Sequence, residues 1–243
     1  MKVGFAIVTH QSDICPSGNK DAHEFIESIR QHVKYNYEIY LIDNQSVPKY
    51  SEYSTIDDLN YTYIEDQSIK GTIGSWNLAI NSAIKNGCDI INLCNNDLLF
   101  TDSINKYLKK IAACPRKDTF LFGPITNIGG APGHFQERPQ TEQNTMTEVT
   151  KHRIGLNGFM MSFCKEFYNK YKIGDNLLPT GKEFIWDAFE HELRFRIRKT
   201  GGREFVLHDS LVLHKKNRSW LTAKKVISGI DKPYWNPEWE NIR

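Results

Sequence analysis

The sequence predicts an α/β fold in which a mostly parallel central sheet is flanked by helices. Two observations carry that prediction. Along the first half of the chain, short apolar runs of strand length alternate with longer segments whose apolar residues recur at helical spacing. Three of the apolar runs then end in polar residues, at His10, Asp43 and Asp97. In open parallel sheets ligands bind beyond the carboxyl ends of the strands, so polar residues there face a crevice and not a core.

The elements follow in order. "KVGFAIVTH" reads as a buried strand running up to His10. "DAHEFIESIRQHV" puts Phe25, Ile26, Ile29 and Val33 on one face, as an amphipathic helix does. "EIYLIDNQS" is a second strand, ending at Asp43 and Asn44, and "NYTYIED" is a third. "SIKGTIGSWNLAINSAIKNG" is a glycine-bearing loop entering a helix that Gly87 stops. "CDIINLCNNDLLF" is a strand with Asn95, Asn96 and Asp97 near its end, where burying unpaired polar groups is costly. A helix from about Asp102 to Ala113 precedes Pro115. In the second half "FLFGPI" is a strand, and Thr126 to Arg153 is a long polar stretch of the kind that carries function. "IGLNGFMMSFCKEF" is an apolar strand bearing Gly155 and Gly158. "EFIWDAFEHELRFRIRKTGG" is an amphipathic helix closed by a Gly pair, and "REFVLHDSLVLHKK" is a final strand ending at His214.

A chain of 243 residues, 40% hydrophobic and 25% charged, can bury a core without disulfide or metal staples. A formal net charge of +2 argues against nucleic acid as a partner. Basic residues gather between Arg194 and Lys225, which offers either a local anion site or a solvated face. The five cysteines lack CxxC spacing, so a reducing compartment is expected. No apolar run approaches the ~18 residues of a membrane span, and the first is too short for a signal peptide. A cytoplasmic protein is the expectation.

Taken in order, "IVTH", "LIDNQS", "KGTIGSWNLAI", "NLCNNDLLF", "GLNGFMMSF", "FEHELRFRIRKTGG" and "LVLHKKNRS" span most of residues 3 to 219. Their order and spacing resemble the family 2 type of GT-A glycosyltransferase. The nearest likeness is to rhamnosyltransferase-like members that carry Asn-Asn-Asp where others have Asp-x-Asp. The resemblance implies a single GT-A domain over residues 1–220, with a Rossmann-like nucleotide-sugar-binding half (1–100) and an acceptor and catalytic half (101–220), then a tail (221–243). It implies transfer, with inversion, of a hexosyl or deoxyhexosyl unit. The donor would be a UDP-, dTDP- or GDP-sugar, the acceptor a hydroxyl on a glycan or other molecule, and the cofactor Mn or Mg.

Such a transfer must stabilise a diphosphate leaving group, which a hard divalent cation does through oxygen ligands. Asp97 is the expected ligand, projecting into an open crevice, with the imidazole of His214 converging on it. Asn95 stands where the family has the first acid of its pair, and its amide brings no charge; Asn95 and Asn96 are assigned to the nucleotide sugar. The resemblance implies that Asp43 accepts hydrogen bonds from a nucleobase or ribose, as an acceptor-only carboxylate can, with Thr9 and His10 lining the same pocket. Gly71 and Gly74 allow close approach to a helix start, and the resemblance implies that Asn77 faces the nucleotide. Lys215 and Arg218 are expected diphosphate contacts. For the base that takes the acceptor's proton, the resemblance puts Glu190 where the family has an Asp, with Asp187 in reserve. Gly158 and Trp186 are expected on the acceptor side.

Two other readings stay in view. A nucleotidyltransferase on a related sheet needs a glycine-rich, basic loop after its first strand, and "VTHQSDICPSGNK" lacks that density. A catalytically silent module for sugar nucleotides or glycans fits the same residues, and Asn95 and Glu190 are the departures that favour it.

Overall fold

The computed structural model describes residues 1–13, 15–65, 71–128, 136–137, 146–151, 155–180 and 189–215. The first half alternates as expected: β1 (Lys2–Thr9), α1 (Gly18–His32), β2 (Asn36–Asn44), a single turn α2 (Tyr50–Tyr53), β3 (Leu59–Ile64), α3 (Gly71–Lys85) and β4 (Ile90–Cys94). These strands lie in the order β3-β2-β1-β4 and all run parallel. The order reverses between β1 and β4, so the loops leaving their carboxyl ends diverge. That is the switch point at which α/β sheets bind ligands. Thr9 and His10 stand on one side of it, and Asn95 to Asp97 on the other.

The second half adds β5 (Leu98–Leu99), α4 (Ile104–Ala112), β6 (Phe120–Thr126), β7 (Met146–Glu148), β8 (Met160–Cys164), α5 (Lys165–Tyr171), α6 (Phe189–Lys199) and β9 (Arg203–His214). The sheet continues β4-β8-β6-β9-β5, with β7 also on β9. Here it becomes mixed: β8 enters antiparallel between β4 and β6, while β6 and β9 pair in parallel. Two apolar runs divide where the sequence suggested one strand. "CDIINLCNNDLLF" breaks after Cys94, because Asn and Asp favour a turn over a buried ladder. "IGLNGFMMSFCKEF" gives strand only over Met160–Cys164, and the polar Lys165 and Glu166 open α5.

Period-two alternation explains the three layers. Val3, Phe5 and Ile7 of β1 face one way, into a core built with Phe25, Ile26 and Ile29 of α1 and Tyr107, Leu108 and Ile111 of α4. Ala6 and Val8 face the other way, onto Ile73, Trp76 and Ile80 of α3 and Leu193 and Ile197 of α6. One polar thread crosses the first core. The Tyr107 hydroxyl donates to Ser162 Oγ at 2.9 Å, which donates to Asn92 Oδ1 at 2.6 Å, and the Asn92 amide reaches the Gly4 carbonyl at 3.2 Å. Asn92 is therefore satisfied inside an otherwise apolar strand.

Candidate functional site

After the Asn95–Asp97 turn, Leu98 and Leu99 pair antiparallel with His214 and Leu213, and the Lys215 N–H donates to the Asp97 carbonyl at 3.0 Å. This short ladder joins residues far apart in sequence. It sets Asp97 Oδ1 3.3 Å from His214 Nε2. The imidazole is held from behind. The His214 N–H donates to Asn127 Oδ1 at 2.7 Å, Nδ1 faces the Ile128 carbonyl at 3.4 Å, and the ring stacks on Phe159 with centroids 5.3 Å apart. A carbonyl can only accept, so Nδ1 is the donor in this contact. Nε2 then meets the Asp97 carboxylate either as an N–H donor or, with a cation between them, as a ligand. Metal-bound imidazoles are held in the same way, through the far ring N–H. The convergence expected from sequence is present, but the expected openness is not. The Asp97 side chain is only 9% exposed, because the ladder draws it against the end of β9.

Glu190, in the first turn of α6, reaches the same region from the other side. Its Oε1 accepts the Gly158 N–H at 3.2 Å. The next residue, Phe159, carries the ring beneath His214, and its carbonyl accepts the Asn95 N–H at 2.8 Å. A second tie runs through Trp76. Its indole N–H donates to the Cys94 carbonyl at 3.2 Å, and its ring packs on Phe189 with centroids 5.3 Å apart. Gly158, Glu190, Asp97 and His214 are thus one constellation.

The residues assigned to the nucleotide are more engaged with the chain itself than expected. Thr9 Oγ1 and Asn96 Nδ2 both donate to the Gly18 carbonyl at 3.0 Å, closing the switch point from its two sides. His10 Nδ1 donates to the Asn44 carbonyl at 2.7 Å, and its Nε2 is buried with no hydrogen-bond partner among the described residues. Asp43, expected to face a base, is fully buried. Its Oδ1 accepts the Ser46 N–H at 3.1 Å, and its Oδ2 accepts the Tyr50 N–H at 2.7 Å and the Tyr61 hydroxyl at 2.9 Å. Burial, with Asp43 beside it, pushes the Tyr61 hydroxyl up to about 12. Asn77, expected to face the nucleotide, is also buried. It bonds both backbone groups of Leu178, at 3.1 and 2.9 Å. Gly71 opens α3 with a left-handed φ of 66°, and Gly74 lies in its first turn, half-buried. Lys215, expected on the diphosphate, pairs with Asp21 at 3.1 Å and with Glu24. Burial opposes its charge, but the bonds to Glu24 and Asp21 outweigh it and raise the ammonium above its ordinary range. Trp186, Asp187, Arg218 and the 221–243 tail lie outside the described residues.

No protein-family model and no curated protein matches the sequence. Solved structures match in shape. GalNAc-T7 with UDP, GalNAc and Mn2+ superposes with a TM-score of 0.65 at 14% identity, over 99% of this chain and 49% of its own. The mannosyltransferase PcManGT from Pyrobaculum calidifontis, with GDP-Man and Mn2+, gives 0.56 at 17% identity, over 99% and 67%. TarS 1–349 of S. aureus, in complex with UDP-GlcNAc, gives 0.54 at 13% identity, over 91% and 61%. The fold is the GT-A glycosyltransferase fold. The chain spans about half the length of GalNAc-T7 and less than two thirds of that TarS chain.

Within this GT-A fold, some residues that build the site were not singled out from sequence. Arg194 lies on the buried side of α6 and pairs with Glu204 of β9 at 3.1 Å. Glu204 Oε1 accepts the Leu156 N–H at 3.4 Å, so the pair braces the segment that leads to Gly158. Burial pushes the Glu204 carboxyl up, and Arg194 and Arg198 pull it back. Arg196, by contrast, donates to the carbonyls of Tyr171 and Leu177 at 2.5 and 2.6 Å. Only the helical phase of α6 separates these two arginines, and that phase was readable in the sequence. The fitness of Asp97 and His214 for a metal rests on one carboxylate and one oriented imidazole. Among the described residues no cluster of three or more His, Cys, Asp or Glu side chains is placed to hold an ion. Mn and Mg sites of this kind fill their remaining positions with phosphate oxygens and water.

Proposed function

We propose that this chain is a family 2 type GT-A glycosyltransferase. In this reading it transfers a hexosyl or deoxyhexosyl unit from a nucleoside diphosphate-sugar to a hydroxyl of a glycan or other acceptor, with inversion. One observation carries the reading: Asp97 and His214 meet at the switch point of the sheet and are tied through Phe159 and Gly158 to the Glu190 carboxylate. The ligands of the structures that share the fold (UDP, UDP-GlcNAc and GDP-Man) support the donor class.

Asp97 and His214 would hold Mn or Mg, which when bound neutralises charge on the departing diphosphate. Glu190 would take the proton of the acceptor hydroxyl as its oxygen attacks the sugar carbon, and the Gly158 N–H fixes the orientation of that carboxylate. Thr9, His10, Asn95 and Asn96 would border the nucleoside, with the start of α3 at Gly71 and Gly74 nearby. Asp43, Asn77 and Lys215 are engaged by the chain itself, and in this reading they brace the walls. Five free, buried cysteines fit a reducing, cytoplasmic setting. Among the described residues no helix is long and apolar enough to cross a membrane.

The test is nucleotide release from a panel of UDP-, dTDP- and GDP-sugars with Mn or Mg. Glu190→Gln should lower release by about 10²–10⁴-fold with donor affinity retained. Full turnover in that variant removes Glu190 as the base and leaves Asp187 as the candidate. A silent binding module is the second reading, favoured by Asn95 and Glu190, which stand where the resembled family has aspartates. It predicts donor binding without release by the wild-type protein under every condition of the panel.

A further inference from the structure

Gln136 lies in the polar stretch between β6 and β7, and it is fully buried. Its Oε1 accepts the Asn157 N–H at 2.7 Å, and its Nε2 donates to the Pro124 carbonyl at 2.9 Å. Its own carbonyl accepts the Thr126 N–H at 2.7 Å. The reason for a carboxamide here is a defect in the sheet. The parallel register of β6 on β9 slips between Pro124 and Ile125, where His208, Asp209 and Ser210 are left out of the pairing. The Gln136 amide takes the place of a ladder partner at Pro124. It fits because residue 123 is glycine: a Cβ there would lie 2.7 Å from Gln136 Nε2 and 2.8 Å from Leu156 Cδ2.

The residue after Asn157 is Gly158, whose N–H donates to Glu190. We propose that Gln136 is a positioning residue for sugar transfer. Its carboxamide holds the Leu156–Asn157 peptide through the Asn157 N–H and so sets the place of the next peptide, whose Gly158 N–H orients the Glu190 carboxylate. This inference rests on the reading of Glu190 as the base. The position calls for a donor toward Pro124 and an acceptor toward Asn157, and the glutamine carboxamide supplies both without carrying a charge.

Two substitutions test it. Gln136→Met keeps the volume and removes both bonds. Gln136→Asn stays polar but is one methylene too short to span them, and it decides the question if the Met variant does not fold. Donor affinity and binding stoichiometry are measured by calorimetry, kcat by nucleotide release, and each substitution is repeated on Glu190→Gln. The expected result is a kcat loss of about 10–10²-fold with donor stoichiometry and affinity unchanged. On Glu190→Gln the same substitution should cost almost nothing more, since residues that act as a unit are not additive. A merely structural role would lower the stoichiometry and cost the same factor on both backgrounds, which would overturn the proposal. Unchanged kcat in both variants would overturn it too. Full turnover in Glu190→Gln would instead remove the base assignment and, with it, this inference.

Discussion

Gly158→Ala crowds the constellation. A Cβ built on Gly158 lies 2.3 Å from Glu190 Oε1 and 2.7 Å from Phe189 Cζ. Ordinary contact begins at 3.4 Å, so the carboxylate oxygen must retreat by about 1.1 Å, the difference between 3.4 and 2.3. Phe189 cannot carry the helix away, because it is buried against Trp76. The Glu190 side chain must therefore rotate, and its 3.2 Å bond to the Gly158 N–H lengthens beyond hydrogen-bonding range. A misplacement near 1 Å costs on the order of 10²-fold in rate, which is about 2.7 kcal/mol of barrier at 1.36 kcal/mol per tenfold. Gly158 does not occupy the left-handed region, so alanine suits the backbone, and the stability cost comes from the 2.7 Å approach to the buried Phe189 ring. The assay is steady-state nucleotide release at saturating donor and acceptor, with a thermal melt beside it to read that cost. Turnover within about threefold of wild type, in a variant folded at the assay temperature, would refute the placement of Glu190 as a base oriented by Gly158.

Two further perturbations separate support from binding. Asn77→Ala strips both backbone groups of Leu178 of their partners, so stability should fall by about 2–3 kcal/mol in a denaturant titration while donor affinity in the folded variant stays unchanged. A large loss of affinity with an unchanged titration would show that Asn77 faces the nucleotide after all. Arg194→Met leaves the Glu204 carboxylate buried without its nearest cation, at a cost of about 3–5 kcal/mol near neutral pH. Burial already raises the Glu204 carboxyl, and losing Arg194 raises it further. The folded variant then holds a proton that the unfolded chain releases near an ordinary glutamate value of about 4.3. Stability is therefore lost as pH rises from that value through the raised one, and the deficit narrows on acidification. Equal deficits at about pH 5 and about pH 8 would contradict this account.

The layers of this protein were legible from its residues alone. Alternation along "KVGFAIVTH" determined which side chains of β1 face each core, and the spacing of Phe25, Ile26 and Ile29 determined the buried face of α1. Polar residues at the ends of apolar runs marked the carboxyl edge of the sheet, and His10 and Asp97 do stand at the switch point. Both signals are local, since periodicity and turn preference are properties of consecutive residues. Pairing is not local. Tertiary structure alone decided that β8 enters antiparallel, that Leu98 and Leu99 leave β4 to run beside β9, and that this ladder brings His214 to Asp97. It also decided which polar side chains remain available to a ligand. Asp43 and Asn77 look like ligand contacts when only their neighbours in sequence are visible, yet Tyr50, Tyr61 and Leu178 reach them first. A carboxylate or an amide binds whatever donor the fold delivers within about 3 Å, and that delivery depends on residues its own sequence neighbourhood does not contain.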